Sequence, residues 1–128
     1  MILYCAADLL WASKIKGTAD ALGLPCRPVR TLEMLEARLV DSPVRSLVID
    51  LEAGPVGLEM VRRLAGDASR AGVRIVVFGP HVDLDGLNEA KRSGAHAVMA
   101  RGAFGSQLPT ILAELDRWAG GGKGPTEA

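Results

Sequence analysis

The stretch SLVIDLEAGPVGLEMVRRL (residues 46–64) decides how the rest of the chain is read. Its first five residues form an apolar run that ends in Asp50. A turn containing Gly54 and Pro55 follows, and then Val56, Met60, Val61 and Leu64 recur at helical spacing. A short apolar run, a turn and an amphipathic helix make the strand–helix half of a βαβ unit. An acid at the end of a buried strand is costly unless something satisfies or uses it. Asp50 is therefore the first candidate functional residue.

Working outward, the same alternation occurs five times. Residues 2–6 (ILYCA) predict a buried strand, and residues 8–22 a helix with Trp11, Ile15, Ala19 and Leu22 on one face, Asp8 as its N-cap and Gly23 as its stop. Residues 25–30 predict a weak strand that two prolines confine to an edge. Thr31 is placed to cap a helix carrying Leu32, Leu35 and Leu39. The third helix is expected over residues 56–70. VRIVVF (73–78) is a β-branched strand. Residues 83–93 predict a helix capped by Asp83, residues 95–100 a fifth strand, and residues 105–118 a fifth helix bearing Leu108, Ile111, Leu112, Leu115 and Trp118. The tail, residues 119–128, carries no core residues and is expected to be disordered, which leaves one domain over residues 1–118.

Five strands alternating with five helices imply an α/β fold of three layers, a doubly wound five-stranded parallel sheet. Right-handed crossovers and this chain length favour the strand order 2-1-3-4-5. Ligands in such folds sit at the carboxyl edge of the sheet beside strands 1 and 3. That edge collects Ala6, Ala7 and Asp8, then Asp50 and Glu52, then Gly79 and His81, and finally Arg101.

Composition removes several function classes. The 128 residues carry 15 basic and 15 acidic side chains, a formal net charge of zero. That balance disfavours binding driven by phosphate neutralisation, so no nucleic-acid partner is expected. No apolar run approaches a membrane span and the N-terminus lacks a basic leader, so a cytoplasmic protein without a membrane partner is expected. Cys5 and Cys26 form neither a metal motif nor a disulfide framework, and Cys26, beside Pro25, is expected to be the more exposed. No GxGxxG or GxxxxGK[ST] loop is present, which argues against the usual nucleotide sites.

On these residues the chain resembles the receiver domain of bacterial response regulators. The element order, the strand-terminal Asp50 and the phrase GPVGLEMVRRL carry the likeness, with Gly57-Leu58-Glu59 following Pro55. KRSGAHAVMARGAF (91–104) resembles the receiver stretch from helix four through strand five. The resemblance implies five phosphotransfer positions, and they transfer unevenly. The phosphoacceptor matches Asp50. The two acids that help to hold Mg²⁺ fall on Ala6 and Ala7, which supply no oxygen ligand. The strand-4 Ser or Thr falls on Gly79, and the strand-5 Lys on Arg101, with Gly102 in place of the usual proline. The expectation is an atypical, pseudo-receiver module without catalytic residues, metal or cofactor. No output domain is seen in 128 residues, so a stand-alone module acting through another signalling protein is expected. By resemblance, the face of helix 4, strand 5 and helix 5 is its interaction surface, including for a homodimer.

Asp50 keeps two readings. In one it is a structural acid paired with Arg101, whose guanidinium can hold a carboxylate through two parallel hydrogen bonds. In the other it is a phosphoacceptor in a rebuilt site, where Asp8 or Glu52 recruits Mg²⁺. A third reading makes the edge at Asp50, His81 and Arg101 a small-molecule pocket on a flavodoxin-like fold. His81, without a second His or a Cys nearby, is read as a loop residue bonded locally, and His96 falls at the opposite edge. Trp11, on the apolar face of the first helix but near the ligand edge, stays open between core packing, covering a vacant pocket and facing a partner. The pairs Arg62–Arg63 and Lys91–Arg92 are read as solvated helix faces.

Overall fold

Ser46–Asp50 (β3) lies at the centre of a five-stranded sheet and is buried along its whole length. The computed structural model describes residues 1–117. In chain order the elements are β1 (Ile2–Cys5), α1 (Leu9–Ala21), β2 (Cys26–Pro28), α2 (Leu32–Asp41), β3, α3 (Pro55–Ala65), β4 (Arg74–Gly79), α4 (Leu84–Ser93), β5 (Ala97–Ala100), α5 (Arg101–Ser106) and α6 (Leu108–Asp116), with 3₁₀ turns at Leu51–Ala53 and Ala68–Arg70. The strand order is β2-β1-β3-β4-β5 and every pairing is parallel, as the alternating pattern implied.

Alternation along the strands builds two cores. Tyr4, Val48, Val76 and Phe78 face one side and pack with Trp11, Ile15 and Ala19 of α1, Phe104 of α5 and Leu108, Leu112 and Leu115 of α6. Leu3, Cys5, Leu47, Ile49, Ile75 and Val77 face the other and meet α2, α3 and α4. Because side chains alternate with a period of two, Asp50 has the parity of Val48. Its register partner is Phe78. Trp11 is a core residue rather than a cover or a contact. Its ring lies 5.0 Å from Phe78 and 5.8 Å from Phe104, which stack on each other at 4.1 Å. Trp118 and the tail, residues 119–128, lie outside the described residues.

Local chemistry sets the helix starts. Asp8 accepts from the Leu10 amide at 2.7 Å, Thr31 from Met34 at 3.1 Å, and Asp83 from Gly86 at 3.0 Å. Two helices differ from the sequence expectation. The third stops at Ala65, because Gly66 caps it and Asp67 starts a separate 3₁₀ turn by accepting from Ser69. The fifth is two helices that meet at Gln107. Pro109 has no N–H to give the Gly105 carbonyl, so the helix must restart, and the proline sits in the first turn of α6 where the loss is harmless. Cys26 is buried, not exposed, since its side chain joins the α1 core; burial pushes both thiols up to about 11. The basic helix pairs are not merely solvated. Arg63 engages Glu36 and Asp67, and Glu89 accepts from Arg62 and Arg92, lacing α2, α3 and α4 together.

Candidate functional site

β3 delivers Asp50 to the carboxyl edge of the sheet, yet the side chain is only 1% exposed. Its Oδ1 accepts the Glu52 amide at 2.9 Å, which starts the 3₁₀ turn Leu51–Ala53. Burial pushes the Asp50 carboxyl above its ordinary range. The Glu52 amide opposes that shift, the Glu52 and Asp8 carboxylates add to it, and Arg101 opposes it more weakly.

Arg101 does not pair with Asp50. It opens α5 directly after β5, and its guanidinium forms a close ion pair with Glu52. The physical reason is solvation. Glu52 sits half-exposed on the outside of the turn, so the two charges meet in water, whereas reaching Asp50 would bury a guanidinium at a large desolvation cost.

The space above Gly79 is filled. A Cβ built on Gly79 would lie 2.8 Å from Leu51 Cδ1, 3.2 Å from its Cβ and 3.3 Å from its Cγ. Leu51 thus occupies the position from which a Ser or Thr side chain would leave β4. Sequence reasoning missed Leu51. The signal was available as a pair, a large apolar residue directly after the acid and a glycine where the adjacent strand ends.

The residues present do not fit the Mg²⁺ that the receiver resemblance implies. The β1–β3 register pairs Cys5 with Ile49, so Ala6 comes next to Asp50, and neither Ala6 nor Ala7 offers a side-chain oxygen. Asp8 is engaged as the cap of α1, and Glu52 is neutralised by Arg101. Among the described residues, no three His, Cys, Asp or Glu side chains come together as a metal site. His81 lies exposed on the turn between β4 and α4, outside any such group. His96 stands at the opposite edge, where its Nδ1 accepts the Ile75 amide at 2.9 Å. No described helix is long and apolar enough to cross a membrane.

No protein-family model and no curated protein matches the sequence. Solved structures do match. The receiver domain of NtrX from Brucella abortus is 15% identical, with a TM-score of 0.74 over 90% of this chain and 97% of that domain. A CheY-like response regulator receiver domain protein from Methanospirillum hungatei JF-1 is 17% identical, with a TM-score of 0.71 over 91% of this chain and 94% of that one. The beryllofluoride-activated NtrC4 receiver domain dimer is 14% identical, with a TM-score of 0.67 over 89% of this chain and 97% of that one. Against the longer NtrX chain solved with ADP, the match covers only 25% of that protein. At these identities the likeness is one of fold: the chain has the receiver fold, a flavodoxin-like doubly wound sheet.

Proposed function

We propose that this chain, with its receiver fold and an Asp50 shut off from solvent, is a signalling domain that works through protein–protein contact without Mg²⁺-dependent phosphorylation of Asp50. The observation that carries this reading is the packing of Leu51 onto Gly79 over a buried Asp50. Phosphoryl transfer depends on positioning and on stabilising spread negative charge. Here the acidic pair is two alanines, the hydroxyl position is a glycine under a leucine, and Arg101, at the strand-5 Lys position, is committed to Glu52. The domain has no catalytic role of its own in this reading.

Its partner is another signalling protein, or a second copy. The face of α4, β5 and the helices that follow is the proposed surface. The edge strand Ala97–Ala100, only partly buried, supports that choice, and the NtrC4 receiver, of the same fold, is solved as a dimer. The cytoplasm is the proposed compartment.

The test is incubation with acetyl phosphate and Mg²⁺, read by intact mass and by beryllofluoride binding. No phosphoryl adduct and no beryllofluoride complex are expected. An adduct that forms on the parent chain and is lost in Asp50→Asn would establish the phosphoacceptor reading instead. Light scattering across a concentration series, with Met99→Glu as the disrupting variant, tests the homodimer.

A further inference from the structure

We propose that the apolar cleft at the end of β1 binds a small monocarboxylate with a short branched tail, its carboxylate held by Arg30. The cleft is about 90 Å³ and is lined by Cys5, Ala6, Ala7, Arg30, Ala53 and Val56. Its position has a general meaning. The chain leaves β1 toward the α1 layer and leaves β3 toward the opposite layer, so the gap between their carboxyl ends is the topological switch point of the sheet. Doubly wound sheets place their ligands in that crevice.

The lining chooses the ligand class. Ala6, Ala7, Ala53 and Val56 present methyl groups to the cleft, and Cys5 adds a thiol that burial keeps protonated, with a pKa of about 11. The interior therefore takes an apolar group and offers no negative charge of its own. Arg30, following β2, supplies one cation to this lining, and it has no hydrogen-bond or ion-pair partner among the described residues. Arg101, by contrast, is already neutralised by Glu52. A guanidinium without a partner beside an apolar slot recognises a carboxylate on a hydrocarbon tail, through charge-assisted hydrogen bonds. The volume exceeds what one water needs and falls short of the roughly 150 Å³ closed cavity that admits benzene, so about three or four carbons of the tail are taken up by the cleft. Ala6 and Ala7, which stand where the receiver resemblance places metal ligands, also wall this cleft. The site does not depend on whether Asp50 accepts a phosphoryl group.

The experiment titrates the ¹⁵N-labelled full chain with sodium isobutyrate at constant ionic strength and follows its amide resonances. Saturable shifts are expected at Ala6, Ala7, Ala53 and Val56, with a Kd on the order of 1 mM. Isobutyramide has the tail without the charge, and acetate has the charge without the tail. Each is expected to bind about tenfold more weakly or worse, as is isobutyrate to Arg30→Gln, an exposed substitution that leaves the rest of the spectrum in place. The proposal is overturned by the absence of saturable shifts, by saturation at residues away from the cleft, by an equal response to isobutyramide or acetate, or by an unchanged Kd in Arg30→Gln. Each result is independent of the acetyl phosphate assay, so one reading can fail while the other stands.

Discussion

Replacing Gly79 by serine restores the hydroxyl that the receiver pattern places at the end of the fourth strand, and the structure assigns that substitution a cost. Gly79 does not adopt a positive φ, so serine meets no backbone strain and the cost is one of space. The new Cβ would approach three atoms of Leu51, at 2.8, 3.2 and 3.3 Å. Rotating the terminal methyl relieves only the first, so the Leu51 stem and the 3₁₀ turn that carries it must shift. Overpacking of this kind costs about 1–3 kcal/mol. For a domain of this size that lowers Tm by roughly 4–12 °C, taking about 4 °C per kcal/mol. Leu51→Ala alone loses part of a half-buried side chain, about 1–2 kcal/mol. In the double variant the approaches to Cδ1 and Cγ disappear and only the 3.2 Å approach to Cβ remains, so the two costs should fail to add by about 1–2 kcal/mol, as contacting sites do. Urea unfolding of the four proteins of the cycle measures each quantity. A Gly79→Ser protein within about 0.5 kcal/mol of the parent, or strictly additive costs, would refute the claim that Leu51 fills the switch position.

Three further outcomes follow from the same geometry. Asp50→Asn keeps an acceptor for the Glu52 amide and removes the buried charge. The folded-state pKa of Asp50 is raised, so the parent loses stability as pH climbs from the ordinary carboxylate range through that raised value. The variant should therefore be the more stable at pH 7, with the advantage vanishing below the ordinary carboxylate pKa; equal pH profiles in thermal melts would contradict the burial account. Arg101→Gln breaks an ion pair between two substantially exposed side chains, so unfolding free energy should change by no more than about 1 kcal/mol, and a much larger loss in urea melts would mean the pair is buried in solution. Phe104→Ala removes a fully buried ring stacked on Phe78 and packed by Trp11, and should cost about 3–5 kcal/mol with a red-shifted Trp emission.

How far the sequence reached can be argued residue by residue. The caps Asp8, Thr31 and Asp83 were legible because capping is chemistry between residues two or three apart. Four strands were legible because each runs apolar between turn signals, whereas β2, with Arg27 and Pro28, read only as a weak edge strand. The division of the last helix was harder, since the apolar stripe of Leu108, Ile111, Leu112 and Leu115 continues past the break and only Pro109 marks it. Burial of Cys26 was invisible from a neighbouring proline, because it depends on α1 closing over the edge strand.

At the site, the chain order showed which groups are missing: Ala6, Ala7 and Gly79 stand where oxygen ligands and a hydroxyl would be, and identity alone decides that. Three pairings could not be read in this way. Arg101 belongs to Glu52 and not to Asp50, Leu51 belongs over Gly79, and Arg30 belongs at the mouth of the cleft beside Ala53. Each joins residues on different strands or connections of the sheet. Periodicity carries information over a turn of helix or a pair of strand residues, whereas those contacts depend on strand register and on the competition between a buried and a half-exposed carboxylate for one guanidinium. The sequence therefore determined the fold and the chemistry the edge lacks; the tertiary structure decided what occupies the space those losses left.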